Sequence, residues 1–139
     1  MSVSEAIHGA EVLLPGDPVA EGEDPRWQAI IRVSEYIESD PEPVWEFIRC
    51  WGSHPQEDLQ AAIATCLLEH LLEYHFTAYF PRVKQAVLAD STFASTFQLC
   101  SQFGQAEQAG NNERFVALRE QLRQRDSGEQ LGIIKSDDI

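Results

Sequence analysis

A chain of 139 residues, 43% of them hydrophobic, is long enough for one buried core and too apolar for full disorder. Its 23 acidic residues against 10 basic ones give a formal net charge of −13, which repels a phosphate backbone and excludes nucleic-acid binding by counterion release. No apolar run approaches the ~18 residues of a membrane span, and no basic stretch followed by an apolar one marks a secretory leader, so a soluble, cytoplasmic chain is expected.

Residues 1–23 read as an N-terminal arm. Val12, Leu13 and Leu14 give it one short apolar patch, and Pro15, Gly16, Asp17, Pro18 and Gly22 punctuate the remainder. A single helical domain is expected over 24–126, with a tail over 127–139. The first helix starts at Asp24-Pro25, an N-cap followed by proline where no donor is lost, and carries Trp27, Ile30, Ile31, Val33 and Ile37. Asp40-Pro41 repeats that start. Val44, Trp45, Phe47, Ile48 and Trp51 then form a broad apolar face, and Gly52 ends the helix.

The third helix, capped by Ser53 or His54, places Glu57 and Asp58 in its first turn, where they suit the helix dipole. No residue from Leu59 to Leu68 is charged, so this helix is expected to be buried on more than one side. Its pattern continues through Leu71, Leu72, Tyr74 and Phe76. Pro81 starts a fourth helix that runs to Ala89. Asp90-Ser91 starts a fifth, with Phe93, Phe97, Leu99, Cys100 and Phe103, closed by Gly104. After the loop signal Gly110-Asn111-Asn112, a sixth helix over about 112–125 carries Phe115, Val116, Leu118 and Leu122. No segment alternates like a strand. The expected fold is all-α, six helices pairing as antiparallel hairpins over 24–51, 55–89 and 91–125. The repeat of about 35 residues suits a HEAT-like stack, with an irregular helical bundle as the alternative.

Tests for catalysis give little. Cys50, Cys66 and Cys100 fit neither a zinc pattern nor a redox pair, and each falls in an apolar helical pattern, so reduced core thiols are expected. No phosphate-binding glycine loop and no nucleophile elbow occurs. The best candidate for chemistry is the segment Glu69, His70, Glu73, Tyr74 and His75. A di-iron bundle needs Glu-x-x-His, but Leu72 follows Glu69 by three and Phe76 follows Glu73 by three. The plainer reading is that Glu69 and His70 end the buried stretch and satisfy neighbouring polar groups. No catalytic residue, metal ligand or cofactor is expected.

The charge is unevenly placed. Residues 1–80 hold 15 acids and only Arg26, Arg32 and Arg49 as cations, while residues 81–139 are close to neutral. Glu35, Glu38, Asp40, Glu42, Glu46, Glu57 and Asp58 fall around the ends of helices one to three and are the expected partner-binding residues. Such an edge is either a solvated face or a docking surface that steers a basic partner. One or two exposed aromatics beside it would supply anchors. Arg114, Arg119, Arg123 and Arg125 are expected to pair with acids or to cover the solvent side of the last helix.

The run Asp40-Pro41-Glu42-Pro43-Val44-Trp45, followed by Leu68-Glu69-His70-Leu71-Leu72, resembles small bacterial helical domains of unknown function over about residues 24–104. In size, acidity and absence of a catalytic motif the chain is also similar to immunity proteins of bacterial toxin systems. That resemblance implies a cytoplasmic protein that binds a cognate toxin, or another basic protein, and occludes its active site. An acidic decoy of nucleic acid is a variant of the same idea. The alternatives are a helical-repeat adaptor of a cellular partner and a metal-dependent enzyme centred on Glu69 and His70.

Overall fold

The computed structural model describes residues 1–17 and 22–137, with residues 127–137 as backbone alone. Pro18, part of the punctuation after Leu14, and residues 138–139 of the expected tail lie outside the described residues. The described residues form helices and turns with no strand among them, and the fold is all-α.

The expected arm contains a helix, α1 (Val3–Leu13), capped by Ser2, whose hydroxyl accepts from the Glu5 amide at 3.2 Å. Ala6, Ala10 and Leu14 recur every four residues and form a narrow buried stripe. α1 lies against α2 (Pro25–Ser34). Alanines carry little hydrophobic signal in a sequence, so the segment reads as an arm, yet they let two helix backbones approach closely. Turns over 35–39 lead to α3 (Pro41–Trp51). Asp24 caps α2 as expected, accepting from the Arg26 amide at 2.9 Å. Asp40 makes no cap bond, so α3 starts on the fixed φ of Pro41 instead.

The centre is one continuous helix: α4 (Glu57–Ile63), a π-helical turn (Ala64–Leu68) and α5 (Glu69–Tyr74). It begins after Gln56, whose amide donates to His54 Nδ1 at 3.2 Å, while Ser53 turns away to bond Arg49. Leu59, Ala62, Ile63, Leu67, Leu68, Leu71 and Leu72 are fully buried. The helix is flanked along its length by α2, α3, α6 (Phe76–Ala89) and α7 (Ser91–Gln98). Because α2 rests on α1 and on this central helix, the architecture is the irregular bundle of the two alternatives. In the π turn the Glu69 amide reaches back to the Ala64 carbonyl, which also accepts the Cys100 thiol at 3.7 Å.

The central helix stops at His75 (φ −137°), and α6 begins at once. The interruption leaves the Tyr74 carbonyl and the Phe76 amide without helical partners. Gln105 supplies both, donating to Tyr74 at 2.7 Å and accepting from Phe76 at 2.9 Å. α6 therefore starts five residues before Pro81, not at it. Pro81 removes the bond to the Thr77 carbonyl, but Thr77 is exposed and water can take that place. α7, capped by Asp90, ends at Gln98 and not at Phe103. Chain 99–103 instead runs back to the central helix, where the Ser101 amide meets Glu69 at 2.8 Å. After a 3₁₀ turn (Gly104–Glu107), α8 (Ala109–Asp137) starts earlier than expected and crosses the expected tail boundary at 126, a stretch without proline. Phe80, Phe97 and Phe115 pack together across α6, α7 and α8, Phe115 stacking on Phe80 and meeting Phe97 in a tilted pair with centroids 4.8 Å apart.

Two close approaches demand glycine. A β-carbon on Gly52 would meet the Ile48 carbonyl at 2.7 Å and the Phe93 ring at 2.8 Å. Gly104 has φ +52°, and a β-carbon there would lie 2.9 Å from the Glu73 carbonyl. Away from the glycines, the buried Arg26 ties the N-terminal end together. Its guanidinium donates to Asp24, to Asp58, to the Gly16 carbonyl and to Gln56, linking the chain after α1, α2 and the start of α4. Those carboxylates raise its pKa, the Asp24 hydrogen bond above all.

Gly104→Ala is expected to cost about 1–2 kcal/mol from backbone conformation alone, and more from the clash with Glu73, read as a lower urea midpoint. Arg26→Met leaves Asp24 and Asp58 facing each other without their cation. It is expected to cost about 3 kcal/mol, checked by the same urea unfolding.

Candidate partner-binding surface

The turn after α2 and the outer side of α5 bound a depression of about 280 Å³ lined by Ser34, Glu35, Ile37, Glu38, His70 and Tyr74. Ile37 is buried and forms the floor, Glu35 and Glu38 are exposed, and the Tyr74 ring is 43% exposed beside them. The local sequence explains this placement. Leu71 and Leu72 are buried, and Tyr74, the last residue of α5 before the break at His75, is left exposed. His75 fixes the opposite wall, its Nε2–H donating to the Ile37 carbonyl at 2.9 Å. His70 donates through Nδ1 to Glu73 at 2.7 Å and stacks on Phe103 with centroids 5.9 Å apart. Two carboxylates beside an open phenol ring can take a basic side chain by charge-assisted hydrogen bonds and by cation–π contact.

The other expected residues are divided among different neighbours. Asp40 accepts from the Ser39 hydroxyl at 3.3 Å, and Glu57 is exposed in the first turn of α4. Glu46 is exposed on α3 and faces α1 across a separate cleft. Asp58 is engaged by Arg26. Glu42 forms a two-pronged pair with Arg82, 2.8 Å on one side, and also accepts from the Tyr79 hydroxyl at 2.8 Å. Of the seven, only Glu35 and Glu38 share one depression, while Glu42 and Asp58 serve the packing of α3 on α6 and of α2 on α4.

Those two roles are hidden in the sequence because their partners lie far along the chain. Arg82 is 40 residues from Glu42, and Asp58 is 32 from Arg26. Tyr74 carries a signal: it is the aromatic that comes after the last apolar pair of the central helix. On the basic side, Arg119 stacks over Phe115 at 4.7 Å, Arg123 meets Glu120 at 3.5 Å, and Arg125 donates to the Leu88 carbonyl at 3.2 Å.

The segment richest in candidate catalytic groups has settled partners. Glu69 is buried and accepts from the Ser101 amide, so it satisfies a neighbouring polar group. Among the described residues, no three His, Cys, Asp or Glu side chains are grouped so as to hold a metal ion. Of the cysteines, only Cys100 is a core thiol, and burial pushes its pKa up. Cys66 is half-buried with its pKa also raised by burial, and Cys50 is exposed on α3. The expectation of three core thiols is corrected at Cys50, which lies beyond the edge of the face formed by Phe47, Ile48 and Trp51. No helix among the described residues is long and apolar enough to cross a membrane.

Arg82, then Tyr79, hold the Glu42 carboxyl below its ordinary pKa. A lowered carboxyl pKa means that this pair adds stability above the pKa of an unpaired glutamate and loses it as pH falls through the lower folded value. Carbon-13 NMR titration is expected to place Glu42 below the usual value of about 4.3, and Arg82→Gln to move it back up.

No family model matches the chain, and no match was found among curated proteins or solved structures.

Proposed function

We propose that this chain is a non-catalytic protein-binding domain that neutralises a basic protein, in the manner of an immunity protein covering the active site of its cognate toxin. The observation that carries this reading is the depression in which Glu35 and Glu38 stand beside the exposed Tyr74. Neither carboxylate has an ion-pair partner among the described residues. The wider field supports it. Two of the three cations in residues 1–80, Arg26 and Arg49, are engaged in internal pairs, so the excess negative charge of that part is not cancelled at its surface. A basic cleft would be steered toward such a field, with Tyr74 as the anchor and the carboxylates as its charged surround.

The test is co-expression with the product of the adjacent open reading frame. The chain is expected to relieve growth inhibition by that product and to bind it with an affinity that falls as salt rises. Tyr74→Ala, and separately the reversal of Glu35 and Glu38 to Lys, are expected to weaken the complex about tenfold or more. Absence of binding, or affinity indifferent to both salt and these changes, overturns the reading.

A further inference from the structure

α1 and α3 bound a cleft of about 690 Å³. Ile7, Phe47 and Trp51 supply its apolar lining, and Glu11, Glu46 and Cys50 stand exposed along it. Ile7 and Glu11 are four apart on α1. Phe47 and Trp51, and likewise Glu46 and Cys50, are four apart on α3. Each helix therefore presents its pair of lining side chains about one turn, roughly 6 Å, apart on one face. The Trp51 ring packs against Phe47, 6.4 Å away, and against a stacked His54, 5.9 Å away between centroids. An apolar trough between two parallel rows of side chains is the form that receives a third, amphipathic helix.

Charge identifies the occupant. No Lys or Arg lines the cleft, and an exposed carboxylate stands on each wall. A second copy of this chain carries the same net charge of −13, so its overall field opposes its approach. We infer that the α1–α3 cleft docks a basic amphipathic helix of the partner protein. The apolar face of that helix lies on Ile7, Phe47 and Trp51, and its Lys or Arg side chains reach Glu11 and Glu46. This rests on the proposed function in one respect only, that the partner is basic.

Cys50 reports occupancy directly, because it is the exposed thiol while Cys66 is half-buried and Cys100 buried. The probe is a synthetic Leu/Lys amphipathic peptide of about 14 residues, the length at which an isolated helix becomes marginally stable. Its counterpart carries Glu at every Lys position. At low salt, the Lys peptide at ten times its dissociation constant is expected to slow maleimide labelling of Cys50 about tenfold. The Glu peptide leaves the rate unchanged. Glu11→Lys with Glu46→Lys removes the protection, the neutral pair Glu11→Gln with Glu46→Gln reduces it, and Glu35→Lys with Glu38→Lys preserves it. Labelling unaffected by the Lys peptide, equal protection by both peptides, or protection that tracks Glu35 and Glu38 instead of Glu11 and Glu46 each overturns the cleft. If the cleft fails while the co-expressed partner still depends on Tyr74, only this inference is lost. If the cleft succeeds and no basic partner is found, the neutralising role is lost and the groove chemistry stands.

Discussion

A helix with no charged side chain over ten consecutive residues has to be covered around most of its circumference, and the rest of this molecule is the cover, with Thr65 alone of the ten left exposed. Each Leu or Ile that goes from water to full burial contributes about 1.5–3 kcal/mol, and the central helix places Leu59, Ile63, Leu67, Leu68, Leu71 and Leu72 in that state. The surrounding helices are positioned by that demand. Covering most of a helix has its own cost in polar groups, since both ends of the buried stretch bring backbone and side-chain atoms out of water. The structure meets this with long-range partners: Arg26 at the start, the Ala64 carbonyl shared by an amide and a thiol in the middle, and Gln105 across the break at His75.

Only local chemistry is legible in the sequence. Asp24-Pro25, Gly52 and Asp90-Ser91 mark helix boundaries through the chemistry of single residues, and each boundary stands where those residues put it. The uncharged run from Leu59 announces the central helix for the same reason. Pro81 misleads because its meaning depends on whether the carbonyl four residues back is wet, and burial is a tertiary property. Asp40 misleads because an aspartate beside a helix start caps only if its side chain turns toward the first amides. α1 escapes notice because a packing face built of Ala6 and Ala10 contributes close approach, not hydrophobic contrast.

The same division governs the acidic residues. Sequence proximity groups seven of them into one edge, but tertiary neighbours divide them. On α3, Glu42 pairs with Arg82 of α6, while Glu46, one turn on, adds to the negative field at Arg82 and lines the cleft against α1. Glu35 and Glu38 stay together because the chain between α2 and α3 is a succession of turns that keeps them on one rim. Their juxtaposition with Tyr74 links residues more than 30 positions apart, and no periodicity within either segment expresses it.

The acids thus fall into two sets with different physical work. Asp24, Asp58, Asp90, Glu42 and Glu69 satisfy buried or half-buried donors, so replacing them disturbs the fold. Glu11, Glu35, Glu38, Glu46 and Glu57 are exposed and hold no such donor among the hydrogen bonds described. Surface changes of this second kind ordinarily move stability by no more than about 0.5 kcal/mol. Mutual repulsion among them slightly destabilises the compact chain, so reversing one relieves strain in the field as it removes a ligand for a basic partner. The surface acids can therefore be changed with little effect on the fold, which is what the proposed function requires of a stable scaffold that carries a surface tuned to one partner.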